Sequence, residues 1–296
     1  MIASFVDRLV RSQKWLDPFG KFVQNVVGAI YKPLGAPGQA LKSFLHGTWL
    51  GHALHPVLVD IPLGAWTAAI IADLTAYTGR LSPEVGDFCV LIGVLASYAA
   101  LVTGYTDFHE TAGHERKVGA AHGLIMTTSI LLYTASWLLR WRAGGSTHDL
   151  AVLLAAAGYL LLISGAYLGG DLVFKLGTMV NRNAFSDGPK DFVRVGRPQD
   201  FVEGKMKKVE AGGMPVLVVR HGGRLRAIAN TCAHAGGPLD EGELDGTTVT
   251  CPWHGSQFDI TTGRVKRGPA TFDQPALTVR ENGEGVEVKL SRSRPA

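Results

Sequence analysis

Four apolar runs, at residues 57–77, 88–106, 118–139 and 150–170, constrain the fold of this chain more than any other feature. Each is about 20 residues long, enough for an α-helix to cross a hydrocarbon layer roughly 30 Å thick. A single run of this kind reads equally well as a buried helix of a large soluble protein. Four in succession, joined by short polar loops, read as a four-helix transmembrane bundle. Glycine recurs within the runs, at Gly64, Gly93, Gly123, Gly158 and Gly165. Small residues let membrane helices approach closely where no hydrophobic force drives them together.

The residues before the first run show a different pattern. Ile2, Phe5, Val6, Leu9 and Val10 fall on one helical face, and Phe19, Phe22, Val23, Val26, Val27 and Ile30 form a second stripe. Asp17 reads as an N-cap and Pro18 as the first helical residue between the two. Arg8, Arg11, Lys14 and Lys21 lie on the polar faces. Short basic amphipathic helices of this kind lie in a membrane interface or pack on the rest of the protein. Basic residues flank the spans unevenly: Lys32 and Lys42 precede the first, Arg116 and Lys117 separate the second and third, and Lys175 and Arg182 follow the fourth. The opposite side carries Arg80, Arg140 and Arg142. This bias places both termini in the cytoplasm of an inner-membrane protein.

From residue 192 the chain changes to short alternating segments, at 192–195, 215–219, 225–228, 277–280 and 286–290, with Gly222-Gly223 and Asn282-Gly283 as hairpin turns. Regularly spaced short strands indicate an all-β domain. Within it lie Cys232-Ala233-His234 and Cys251-Pro252-Trp253-His254, each in a loop rich in Gly and Pro. Two thiols and two imidazoles make a metal-ligand set. Zinc accepts the same ligand types, but structural zinc usually draws its cysteines from one knuckle and its histidines from another segment.

The paired Cys-x-His and Cys-x-x-His strings, with Gly236, Leu239, Gly255, Ser256, Phe258, Asp259 and Gly263 around them, resemble the Rieske [2Fe–2S] family. In that family two cysteines hold one iron and two histidines the other. The resemblance implies Cys232, His234, Cys251 and His254 as cluster ligands, with Leu239, Trp253 and Pro269 as an apolar rim where a partner docks. Higher-potential relatives carry two further cysteines bridging the loops; those positions are Gly237 and Trp253 here. Ser256 matches a serine that donates to the cluster sulfurs, whereas Phe258 stands where a tyrosine hydroxyl would. One donor kept and one lost implies a potential in the lower half of the roughly −150 to +300 mV range. On this pattern the domain resembles both ferredoxin-type Rieske proteins and nitrite-reductase small-subunit-like domains.

The bundle has histidines of its own. His52 and His55 precede the first span, His109 ends the second and His122 begins the third. The string from His55 to Pro62 resembles the signature of DUF2231, a family of small four-span bacterial membrane proteins, over roughly residues 46–175. Ionisable residues inside spans are costly and usually functional. His52, His55, His109 and His122 are therefore candidates for a b-type haem, a metal ion or a quinone pocket; the alternative is that they cap helix ends or bond to Asp60 and Asp107.

The expected organisation is thus multidomain: amphipathic basic helices at 1–45, an all-α four-span bundle at 46–175, a linker at 176–191 and an all-β Rieske-type domain at 192–291. A 2-His-1-carboxylate oxygenase site needs a further domain, and only about 40 residues follow His254. No convincing dinucleotide fingerprint occurs. The expected role is an electron carrier working with a separate reductase and an acceptor protein or quinone. The alternative is a redox subunit whose bundle binds haem, metal or quinone. The net charge of +4 suits an anionic membrane surface and does not argue for nucleic acid.

Overall fold

The computed structural model describes residues 2–142, 146–283 and 285–291. The chain divides into two compact units, Met1–Gly38 with Ala53–Thr178, and Gln39–His52 with Met179–Ala296.

The first unit is helical. Helices α1 (Ile2–Ser12) and α2 (Leu16–Tyr31) precede α3 (Gly35–His46), which crosses into the second unit. Four long helices follow: α4 (Leu54–Ala76), α5 (Pro83–Phe108), α6 (Gly113–Arg142) and α7 (Ser146–Gly170). All four are long and apolar enough to cross a membrane. The distribution of side chains supports that reading. Leu, Ile, Val and Phe residues such as Ile71, Phe88, Leu95, Leu131, Leu153 and Leu160 point outward, while Ser97, Thr103, Thr106, Ser129 and Ser136 are buried. A water-soluble bundle would reverse this.

These serine and threonine hydroxyls are satisfied by backbone. Ser129 Oγ donates to Gly158 O and Ser136 Oγ to Ala151 O, tying α6 to α7. At mid-bundle Trp66 stacks flat on Tyr133, ring centres 3.8 Å apart. Gly93 lies under Trp66 and Gly158 against Tyr133, and a Cβ at either would collide with the ring. Gly64, by contrast, faces open space and makes no such contact.

Helix α2 packs on the bundle. Its buried residues are Leu16, Gly20, Val27 and Tyr31. Gln24 Nε2 donates to Thr111 O at 2.8 Å, and Tyr31 and Thr106 share a hydroxyl hydrogen bond of 2.7 Å. Asp17 does not cap: Trp15 is the N-cap, and Asp17 and Pro18 lie within the first turn. The Asp17 carboxylate instead accepts from Arg116 Nη2 at 2.6 Å, so its charge joins α2 to α6. The second predicted stripe divides, with Val27 inward and Phe22, Val26 and Ile30 exposed. Phe5 and Leu9 of α1 are exposed as well.

The second unit is built on two antiparallel sheets. One has the order β1 (Val193–Gly196), β10 (Gly285–Leu290), β9 (Ala276–Asn282), β4 (Arg224–Ala229), β3 (Met214–His221), β2 (Met206–Ala211). The other runs β5 (Glu243–Asp245), β6 (Thr248–Thr250), β7 (Gln257–Asp259), β8 (Val265–Arg267). The Gly222-Gly223 turn closes β3 on β4, with His221 opposite Arg224 and both glycines at positive φ. Strand β3 feeds two cores through its period of two. Val216 and Val218 join Leu277, Val286 and Val288, whereas Leu217 and Val219 join Leu239, Val249, Phe258 and Ile260.

Segment Gln39–His52 belongs to this second unit, so the expected boundary at residue 45 falls within an element that packs on the β domain. Ser43 Oγ accepts from Gly268 N–H at 3.2 Å, and Thr48 Oγ1 donates to Ala270 O. His46 is fully buried beside Gly268.

Candidate metal centre

Cys232 and His234 sit in the loop leaving β4. Cys251 and His254 sit in the loop joining β6 to β7, closed at its base by Thr250 opposite Gln257. The two loops repeat one hydrogen-bond pattern. Cys232 N–H donates to Gly237 O at 2.9 Å and Cys251 N–H to Ser256 O at 2.8 Å. Four residues after each cysteine a glycine returns the bond, Gly236 to Cys232 O and Gly255 to Cys251 O. Both glycines have positive φ, 86° and 72°, which a side chain would make costly.

This turn aims backbone N–H groups at sulfur. Those of His234 and Ala235 donate to Cys232, and those of Trp253 and His254 to Cys251. The two thiols are hydrogen-bonded to one another, Cys232 donating. That bond is the main reason the Cys251 thiol is brought down and the Cys232 thiol is pushed far up, with burial adding to the latter. The N–H donors favour thiolate at both, which is what a metal requires.

Cys232, Cys251 and His234 are buried and His254 half-buried. The ring centres of His234 and His254 are 5.0 Å apart and both Nδ1 atoms are shielded from solvent. With metal–nitrogen bonds of about 2.1 Å, two imidazoles on one tetrahedral ion have ring centres roughly 5 Å apart. The residues present therefore fit a centre with paired sulfurs inside and paired imidazoles outside. Gly237 brings the loops into contact, since a Cβ there would lie 2.9 Å from Cys251 Sγ.

Several neighbours brace the loops. Arg182 N–H donates to Ala233 O at 3.1 Å. Asn183 Nδ2 donates to Thr231 O and to Gln274 Oε1, and Gln274 Nε2 also reaches Thr231 O. Ser256 Oγ accepts from Ala270 N–H at 3.0 Å, which leaves its own hydroxyl hydrogen to donate. Asn183 and Gln274 carried no sequence signal beyond that of turn residues.

The expected apolar rim is corrected. Leu239 is buried in the core and Pro269 is buried beneath the surface, leaving Trp253, 57% exposed, as the open apolar residue next to the ligands. The four bundle histidines do not assemble either. His55 and His122 come together, with ring centres 6.4 Å apart. His109 turns to Glu110, at 2.9 Å, and to Gly28 of α2. His52 is exposed and lies in the second unit.

Each half matches a known family. The Rieske [2Fe-2S] domain model matches residues 191–278, and a predicted membrane protein family, DUF2231, matches residues 51–182. The ferredoxin component of biphenyl 2,3-dioxygenase from Rhodococcus jostii is 36% identical over 91 residues, which is 31% of this chain and 85% of that protein. Apoptosis-inducing factor 3 from mouse is 35% identical over 106 residues, 35% of this chain, but the chain spans only 18% of its length. Among solved structures, the ferredoxin of carbazole 1,9a-dioxygenase from Nocardioides aromaticivorans is 30% identical, with a TM-score of 0.33, covering 34% of this chain and 98% of that one. The chain belongs to the Rieske [2Fe–2S] family, carrying a ferredoxin-type domain after a segment that matches the DUF2231 family of predicted membrane proteins.

Proposed function

We propose that Cys232, Cys251, His234 and His254 hold a [2Fe–2S] cluster, and that this chain is a membrane-anchored carrier of single electrons. The observation that carries this reading is the repeated loop, which delivers one thiol, one imidazole and two sulfur-directed N–H groups from each side. Bound there, the cluster supplies a one-electron redox couple. The protein's own groups do the rest. Backbone N–H donors offset charge on the sulfurs, the core around Leu217, Leu239 and Phe258 excludes water behind them, and His254 beside exposed Trp253 offers the edge at which a partner docks.

In this proposal the four spans tether the domain to the inner membrane, both termini face the cytoplasm, and the exposed stripe of Phe22, Val26 and Ile30 rests at the interface. Arg140 and Arg142 weaken the charge bias. Arg140, however, is ion-paired with Asp73 and Asp87, which supports counting it with the bundle rather than with a loop. A separate reductase supplies electrons, and an acceptor protein or a quinone takes them.

The test is anaerobic purification of the full chain in detergent, with paramagnetic resonance spectra before and after reduction. A Rieske signal that disappears in His234→Ala and His254→Ala, with the protein still in the membrane fraction, is the expected result. Reporter fusions at the two termini and in the 109–112 loop test the topology.

A further inference from the structure

The bundle brings a second pair of histidines, His55 and His122, together. Helix α4 packs along α5 and α7, and α6 packs along α7 and α5, so α4 and α6 lie diagonally across the bundle. His55 is in the first turn of α4 and His122 is in α6. Each ring is fixed from behind by a different helix: His55 Nδ1 lies 2.9 Å from Ala100 O of α5, and His122 Nδ1 lies 2.8 Å from Gly165 O of α7. A carbonyl only accepts, so both Nδ1 atoms carry the proton and both Nε2 atoms keep a free lone pair. Metal-ligating histidines usually donate their other N–H in this way, which sets the tautomer and strengthens the ligand. Glycines make room for the rings. A Cβ on Gly104 would stand 2.8 Å from His55 Cε1, and one on Gly169 would stand 3.3 Å from His122 Cε1.

Spacing indicates the kind of centre. The ring centres are 6.4 Å apart, against 5.0 Å for His234 and His254. With metal–nitrogen bonds of about 2.1 Å, imidazoles on opposite sides of one metal have ring centres roughly 6 to 6.5 Å apart, and those at a tetrahedral angle roughly 5 Å. The bundle pair therefore has the trans separation. A bare ion would need further protein ligands, and among the described residues no group of three His, Cys, Asp or Glu side chains gathers to hold one. A porphyrin brings four nitrogens and needs only two from the protein.

We propose that His55 and His122 are the two axial ligands of one b-type haem held between α4 and α6. His52 and His109 take no part in it. The site is independent of the cluster reading, because none of its residues lies in the second unit.

The test uses the full chain in detergent, titrated with hemin and followed by absorption, with the Rieske paramagnetic signal recorded in the same samples. The expected result is saturation at one hemin per chain with a six-coordinate low-spin spectrum. That spectrum should be lost in His55→Ala and in His122→Ala and unchanged in His52→Ala and His109→Ala, the cluster signal persisting throughout. His122→Met guards against misfolding of the alanine variant: methionine keeps an iron ligand, so haem should be retained with an altered low-spin spectrum. Hemin that stays high-spin or fails to saturate at one per chain overturns the proposal. So does a low-spin spectrum that survives both alanine variants, a His122→Met spectrum identical to the parent's, or one equivalent of a bare transition metal bound in place of hemin. Loss of the cluster signal with haem intact would instead count against the electron-carrier reading alone.

Discussion

The indole of Trp253 lies against the backbone of Gly237: a Cβ built on Gly237 would fall 3.0 Å from the ring and 2.9 Å from Cys251 Sγ. These are the two positions at which bridged relatives are expected to carry cysteines. Here a ring on a glycine joins the cluster loops without a covalent bond. A Gly237→Ala methyl must push the loops apart, and such overpacking costs about 1–3 kcal/mol. The full-length variant should stay in the membrane and lose most of its Rieske signal, whereas Trp253→Phe, which keeps a ring over the glycine, should hold its cluster. Equal cluster content in Gly237→Ala and the parent would show that the contact does not set the loop spacing.

Ser256 is buried and its oxygen already accepts from Ala270, so its hydroxyl is oriented to donate elsewhere. If the recipient is a cluster sulfur, Ser256→Ala should lower the midpoint potential. A hydrogen bond worth about 1–2 kcal/mol to the reduced state corresponds to roughly 40–90 mV for a one-electron couple. A redox titration of parent and variant measures this, and an unchanged midpoint would confine Ser256 to tying Ala270 in place. The parent's own midpoint is expected in the lower half of the Rieske range, since Phe258 is buried with no hydroxyl to add.

Some of this was legible in the sequence, for physical reasons that differ by element. The spans could be read because twenty apolar residues have few other solutions, and α4 to α7 cover the four runs but for Tyr77, the C-cap of α4. The cluster loops could be read because each carries its cysteine and histidine within four residues. Strands β2 and β5 to β8 were missed: β5 to β8, at three residues apiece, are too short to show alternation, and the six residues of β2 do not alternate between buried and exposed. The burial of Pro269 was not legible, because its loop is held by Ser43 and Thr48 from more than 200 residues away. The meeting of His55 with His122 depends on which helices lie diagonally, and periodicity along a helix carries no record of that. Asp17 had the residue type of a cap, but Arg116 on another helix claimed its carboxylate.

Asn183 braces the first cluster loop through Thr231 O and Gln274. Asn183→Ala removes two donated bonds at a buried site and strands Gln274 Oε1, at a cost of about 1–3 kcal/mol. Loss of the Rieske absorption on heating should begin at lower temperature in this variant, with the helical signal of the bundle unchanged. A cluster as heat-stable as the parent's would rule out the brace.

Asp259, at the end of β7, sets an acid limit on the β domain. Burial alone would raise its carboxyl, but hydrogen bonds from Thr261, Lys266 and Thr247 outweigh that and hold it well below the ordinary 3.8. A carboxyl lower in the folded state stabilises the fold fully above the unfolded value. That contribution is lost as pH falls below 3.8 toward the folded value. Asp259→Asn should therefore be less stable than the parent at neutral pH, with the difference shrinking through this acid range. Cluster retention against pH in the two proteins measures it, and parallel curves would assign the acid sensitivity to other groups.

Arg140 and Asp73 are each about 1% exposed at the side chain and form a two-pronged ion pair, Nη1 to Oδ1 at 2.9 Å and Nη2 to Oδ2 at 2.5 Å. Asp87 accepts from the same guanidinium at 2.7 Å and Ser136 Oγ from its Nε at 3.1 Å. Every arm of the arginine is thus engaged between α4, α5 and α6. Removing one partner of a buried pair leaves an uncompensated charge and costs about 3–5 kcal/mol, whereas replacing both by apolar residues is often near neutral. Asp73→Ala should therefore lower the unfolding temperature of the detergent-solubilised protein sharply, and Asp73→Leu with Arg140→Leu should recover most of the loss. The double variant also tests orientation. If Arg140 acts as a bundle residue and not as a loop charge, its removal should leave the terminal reporters on the side they occupy in the parent, and an inverted or mixed topology would return it to the charge balance that orients the chain.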